Sequence, residues 1–160
     1  MRALLKLLTV SLLFLGLIVA TPAPAGAMTL GTHFIVGAGL AHALADNEWE
    51  AFALGLASHM LLDAIPHDDR AVETPVITAL LATLFAYQLL HQGEANWRLI
   101  AAGGVAGMFP DAEHALKHAG VSKRSYYPSH SGMIRQPRAE MGTALAIELG
   151  ISFLAMEISF

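Results

Sequence analysis

The sequence predicts an all-α, multi-pass membrane helical bundle of about four to six helices, with a cluster of His and Asp residues between helices. Three observations predict it. Hydrophobic residues make up 55% of the chain and charged residues only 14%, whereas soluble domains are roughly 45–50% apolar and about 25% charged. The apolar stretches have helical rather than strand length and are punctuated by Pro and acidic residues. Inside them His and Asp recur at spacings of three and four, which place side chains on one helix face.

Residues 1–27 carry Arg2 and Lys6, an apolar run from Leu7 to Ala20, and then small residues ending in Ala25, Gly26 and Ala27. That is the pattern of a signal peptide or an N-terminal membrane anchor, and a start at Met28 is the other reading. Residues 28–160 then form a single helical domain. From Gly31 to Ala45 small residues recur at Gly37, Gly39, Ala41 and Ala45, spaced for close helix contact. Residues 50–65 form the next helix, which Pro66 ends because it cannot donate a backbone hydrogen bond and disfavours helix at Ile65. Residues 74–91 are the cleanest spanning candidate for a bilayer core of roughly 30 Å, whereas 50–65 would cover only about 24 Å. Residues 98–109 form a Gly-rich helix meeting Pro110, and 139–158 form the last helix, carrying Glu140, Glu148 and Glu157 as partners for basic residues. The expected location is the inner cell membrane, with several passes.

With no Cys, disulfides and thiolate metal sites are excluded, leaving imidazole and carboxylate as ligands. Five of the nine Lys and Arg residues (Lys117, Lys123, Arg124, Arg135 and Arg138) lie in a segment without Asp or Glu. No nucleic-acid motif accompanies them, so nucleic acid is not expected as a partner.

The chemistry centres on GLASHMLLDAIPHDD, from Gly55 to Asp69. His59 and Asp63 share a helix face and can meet at one ion, and ionisable groups in apolar helices usually mark function. Asp111 and His114 repeat the arrangement at spacing three, although Pro110-Asp111 also fits a helix start, where a carboxylate meets free N–H groups. His33 early in its helix and His130 in a Pro-Ser-His-Ser-Gly turn complete the candidate metal ligands: His33, His59, Asp63, Asp111, His114 and His130. His67, Asp68 and Asp69 fit a polar loop or a further ligand or base, while His42, His91 and His118 read as helix-end or solvated residues. A shift of 48 residues aligns Ala53, Gly55, Met60, Asp63 and Ala64 with Ala101, Gly103, Met108, Asp111 and Ala112. Such a repeat has two helical hairpins each bring an Asp to the same depth.

The motifs SHMLLDAIPH, GMFPDAEH and PSHS, with the early His33, resemble a family of small integral-membrane proteins described as predicted membrane-bound metal-dependent hydrolases, which includes LexA-binding inner-membrane hydrolases. The resemblance covers residues 31–131. Its Pro-Asp-x-Asp-His element looks like Pro110 to His114, with Glu113 where Asp is usual. Its His-Ser element looks like His130-Ser131, and its Ser-His-x-x-x-Asp element looks like Ser58 to Asp63, here placed before Pro-Asp-Ala-Glu-His rather than last.

Six N/O ligands are more than one tetrahedral ion needs, so one or two divalent ions, zinc or manganese, are expected. Such an ion makes hydroxide from water near neutral pH and polarises a phosphoryl or acyl oxygen. Glu113 and Asp69 are the first candidates for general base. Lys123, Arg124 and Arg135 can attract an anionic head group, which makes membrane lipid a partner and a phosphoester the natural substrate class. The alternatives are a non-enzymatic membrane protein tied together by a structural metal or His–Asp bonds, and an ion-translocating protein.

Overall fold

The computed structural model describes residues 29–67, 73–91, 96–118, 120–124, 126–131, 133 and 137–158. They form five helices: α1 (Leu30–Leu44), α2 (Glu48–Asp63), α3 (Glu73–His91), α4 (Trp97–His118) and α5 (Met141–Ile158). The all-helical expectation and the helix count hold, while the expected signal peptide or anchor and the Met28 start lie outside the described residues. The membrane-spanning part of the expectation is overturned: among the described residues, no helix is long and apolar enough to cross a membrane. At 1.5 Å per residue, the 15 residues of α1 and 16 of α2 reach only about 22–24 Å. Residues 74–91, the cleanest spanning candidate by sequence, fall in α3 and are included in that finding; α4 carries Asp111 and Glu113, and α5 carries Glu148 and Glu157.

Helix α2 begins where Asn47 can cap it. The Asn47 side chain accepts from the backbone N–H groups of Trp49 and Glu50, both at 3.1 Å, and Glu50 in turn accepts from Asp46 N at 2.9 Å. This satisfies donors that a helix start leaves unpaired. Asn47→Ala should therefore cost about 1 kcal/mol, measured as a lower urea midpoint with unchanged slope. At the other end, Ala64 N and Ile65 N donate to Leu61 O and Leu62 O, tightening the last turn just before Pro66.

Helix α4 corrects the expectation of a stop at Pro110, because it runs through that residue to His118. An interior proline costs about 3 kcal/mol through its missing donor and ring clash. Packing of α4 along its length against both α1 and α2 offsets that cost.

Small residues let three of these helices touch backbone to backbone. A Cβ placed on Gly103 would overlap the Gly37 carbonyl and the Ala41 methyl; one on Gly55 would overlap the Gly103 carbonyl, and one on Gly107 the His33 carbonyl. Gly55 meets Gly103 and His59 meets Gly107, both at a constant offset of 48 residues. A constant offset means that α2 and α4 run parallel and in register, so the sequence repeat is also the packing register. Along α1 the partners run the other way, His33 to Gly107 and Gly37 to Gly103, so α1 is antiparallel to both. The start of α1 therefore lies beside the last turns of α2 and the middle of α4, and the chemistry gathers there.

Helices α3 and α5 close the bundle against α1, with Phe85, Ala82, Ala155 and Met156 packed on Phe34, Ile35 and Ala38. The centre is nonetheless polar: His33, His59, Asp63, Thr32, Ser58, His67 and Glu148 are among the most fully buried large side chains. The segment before α5 is held to the end of α2 by His67, whose N–H donates to Pro137 O while Ala139 N donates to His67 O.

Candidate metal centre

Five of the candidate ligands converge. His59 and Asp63 come from the last turns of α2, Asp111 from α4 one residue past Pro110, His33 from the first turn of α1, and His130 from the turn that follows α4. His59 Nε2 lies 3.2 Å from Asp63 Oδ2, 3.9 Å from Asp111 Oδ1 and 3.2 Å from His130 Nε2. His130 Nε2 lies 3.5 Å from Asp63 Oδ2 and 3.6 Å from Asp111 Oδ1. His59, Asp63 and His130 form one set whose donor atoms all lie within 4.8 Å of one another, and Asp111 Oδ1 faces both imidazole nitrogens from beside it. Zinc binds imidazole and carboxylate at roughly 2.0–2.2 Å, so the three groups are spaced to hold one divalent ion.

The tautomer of His59 agrees with this. A carbonyl oxygen only accepts, so at 2.7 Å from Gly107 O the His59 Nδ1 carries the proton. In the neutral ring this leaves the Nε2 lone pair directed at the other donors, the arrangement by which ligating histidines are usually oriented. Two imidazole nitrogens 3.2 Å apart, one of them bare, need a proton or a cation between them. Burial sharpens the requirement, since an unsatisfied polar group in a core costs about 1–3 kcal/mol, and neither oxygen of Asp111 has a hydrogen-bond partner among the described residues.

His33 stands on the far side of Asp63. Its Nε2 is 3.4 Å from Asp63 Oδ1, and its ring stacks on His59 with centroids 3.9 Å apart. It also belongs to a second set with His59 and Asp111 whose donor atoms lie within 4.8 Å of one another. His33 can therefore orient Asp63 or extend the coordination.

The charges of the cluster are mutually adjusted. Burial pushes the Asp63 carboxyl up, but hydrogen bonding from His130, His33 and His59 outweighs it and holds the group far below the usual carboxylate range. Burial pushes Asp111 up, reinforced by the negative Asp63. His33 is held down by burial and by the neighbouring His59, whereas His59 is raised because Asp63 and Asp111 outweigh its own burial. Two carboxylates facing two imidazoles would neutralise a divalent cation without further charge.

Glu113 lies beside this set. Its carboxylate accepts from the backbone N–H groups of Tyr126 and Tyr127, the latter at 2.9 Å, and Oε2 is 3.9 Å from His130 Nδ1. It thus anchors the turn that delivers His130. Tyr127 covers the cluster: its ring meets His59 and His130 at centroid distances of 5.2 and 5.7 Å, and its hydroxyl donates to Leu56 O. Burial, with the nearby Asp63 and Asp111, pushes its phenol up to about 12, so it stays protonated. Ser58 is buried but turns back to the Gly55 carbonyl at 2.7 Å and takes no part. His114 sits in α4 with its side chain outside the described residues, and Asp69 lies outside them altogether. His67 joins neither donor set; its Nδ1 donates to Ile65 O at 2.7 Å.

Three contributors were not singled out from the sequence. The Gly107 carbonyl carries no side-chain signal, although the 48-residue shift pairs it with His59. Tyr127 is an aromatic in a polar turn, and nothing local marks its role. Glu148 was expected to pair with basic residues; instead it is fully buried, and its Oε2 accepts from Thr29 Oγ1 at 2.6 Å, Thr32 Oγ1 at 3.0 Å and Thr29 N at 3.3 Å. These bonds tie α5 to the start of α1, next to His33. Burial pushes the Glu148 carboxyl above its usual value of 4.5. A raised value means that the folded state holds the proton more tightly. The stabilisation is complete below the usual value and disappears as pH rises through the raised one. Glu148→Gln should flatten that part of the stability profile, read as the difference in urea midpoint between pH 5 and pH 8; an unchanged difference would refute the assignment.

Comparison of the chain with family models, with curated proteins and with solved structures gives no match.

Proposed function

We propose that the chain is a metal-dependent hydrolase acting on a phosphoester. The observation that carries the reading is the set of His59, Asp63 and His130, whose donor atoms lie within 4.8 Å of one another, with Asp111 beside it. Zinc suits a tetrahedral set of imidazole and carboxylate; manganese fits if His33 or water raises the coordination number. Such an ion would acidify a water and polarise a phosphoryl oxygen. Around it, Gly107 fixes the His59 ring, Glu113 holds the His130 turn, and Tyr127 keeps bulk water from the imidazoles. The resemblance of SHMLLDAIPH, GMFPDAEH and PSHS to membrane-associated metal-dependent hydrolases points the same way.

A second reading has its own support. If Asp111 joins His59, Asp63 and His130, four protein donors complete the coordination as in structural zinc sites, whereas catalytic sites keep one position open. Elemental analysis of the purified protein beside His59→Ala and Asp111→Ala tests the centre: wild type is expected to hold one or two ions per chain and each variant less than a tenth of that. Cobalt substitution then separates the readings. A visible spectrum that shifts on adding phosphate, together with hydrolysis of p-nitrophenyl phosphate, supports catalysis; an unresponsive spectrum supports a structural ion. Absence of metal after reconstitution with zinc and manganese overturns both.

A further inference from the structure

We propose that the turn following α4 docks on an anionic lipid surface. Its form is set locally. Val121 N donates to Leu116 O at 2.9 Å and Gly120 N to Lys117 O at 3.1 Å, while Gly120 has φ 73°. This is the Schellman closure, in which glycine takes the left-handed conformation and the residue after it commonly packs on the helix residue five positions back. Here that apolar pair, Leu116 and Val121, is turned to the outside: Val121 is 74% exposed and Leu116 49%. Ser122 stiffens the next step, its hydroxyl donating to Arg124 O at 2.9 Å.

Two further apolar tips stand out from the same segment, Tyr126 at 76% and Met133 at 80% exposed. Lys117, Lys123 and Arg124 are exposed among them, and no Asp or Glu occurs between Lys117 and Arg138. Exposed apolar residues interspersed with cations along one segment suit a headgroup layer, where the tips enter the acyl boundary and the cations meet phosphates. An acidic protein groove would match the charge but would leave the scattered tips without a continuous pocket. Docking of this kind needs no helix to cross the bilayer. It also stands independently of the hydrolase reading, although His130 lies in the same segment and the docked surface would adjoin the metal centre.

Flotation of the full chain with phosphatidylcholine vesicles, with and without phosphatidylglycerol at about one third of the lipid, tests this. The Leu7–Ala20 segment would bind both compositions, so the readout is the difference between them. Each basic residue near such a surface is worth about 1 kcal/mol, or roughly fivefold in partitioning. Lys123→Glu with Arg124→Glu should therefore lower the phosphatidylglycerol-dependent partitioning by at least about 20-fold. Val121→Ser with Met133→Ser should lower it severalfold, and Leu80→Ser with Leu84→Ser, exposed on α3, should leave it unchanged, with circular dichroism confirming folding of each variant. Equal binding to both vesicle types overturns the proposal, as does a preference that survives the charge reversal or the loss of Val121 and Met133. Flotation of chelator-treated protein keeps the result separate from the metal centre: binding without metal supports docking whatever the enzyme assay shows.

Discussion

Gly103→Ala should destabilise the fold by about 2 kcal/mol and weaken metal binding, although alanine is the better helix former. The added methyl gains about 1 kcal/mol in helix propensity. Against this, it must enter a point where Gly37 O and Ala41 Cβ leave no room for it. Overpacking of a core costs about 1–3 kcal/mol, and the upper end applies because the obstacle is backbone rather than the end of a flexible side chain. Moving α1 away from α4 also draws His33 from the end of the bundle where Asp111 lies. Gly142 and Gly150 supply the contrast. Both are helical, and a Cβ at either meets nothing within 4 Å, so Gly142→Ala and Gly150→Ala should each stabilise by up to about 1 kcal/mol. Thermal melts and urea titrations of the three variants measure the two signs directly. Equal behaviour at Gly103 and Gly150 would mean that the backbone contacts between α1 and α4 are looser than described.

Asp63→Asn should abolish tight metal binding and reshape the acid limb of stability. Among the described residues, Asp63 is the carboxylate within 3.2–3.5 Å of His33, His59 and His130 together. Replacing one oxygen by an amide nitrogen removes both a donor atom and the negative charge that balances the cation, and a loss of at least about 100-fold in affinity is expected, the scale seen even for outer-shell partners of metal ligands. In the metal-free protein the sign is equally defined. The folded-state value of Asp63 is depressed by the three imidazoles, so its stabilisation is present above the unfolded carboxyl value and is lost as pH falls toward the folded one. The asparagine variant should be less stable than wild type at pH 6 and should lose less on acidification. Calorimetric zinc titration reads the first effect and urea midpoints between pH 3 and pH 6 read the second. An asparagine variant with wild-type affinity would remove Asp63 from the ligand set.

Several of these features are legible in the sequence. Helix positions followed from Pro66, from the acidic stretch at Asp46 to Glu48 and from the length of the apolar runs, because these are local properties of the chain. His59 with Asp63, and the presence of Asp111, His33 and His130, stood out because imidazole and carboxylate are costly in apolar helices. The shift of 48 residues carried more than was evident in one dimension, since it is the register in which α2 lies against α4.

Other features were beyond local reasoning. Apolar composition suggested membrane spans, yet composition does not distinguish a spanning helix from one packed in a bundle, and among the described residues no helix is long and apolar enough to cross. Pro110 signals a helix end by local rules, but packing on both sides carries α4 through it. The helices, the candidate ligand types and the repeat are legible along the chain, because spacing and side-chain chemistry are written residue by residue. Packing in three dimensions settles which donors meet, that Gly107 and Glu113 steady them, and that Glu148 clamps α5 to α1 instead of pairing with a cation. Those outcomes depend on how closely glycine-lined backbones approach and in which direction each helix runs, and no single segment contains that information.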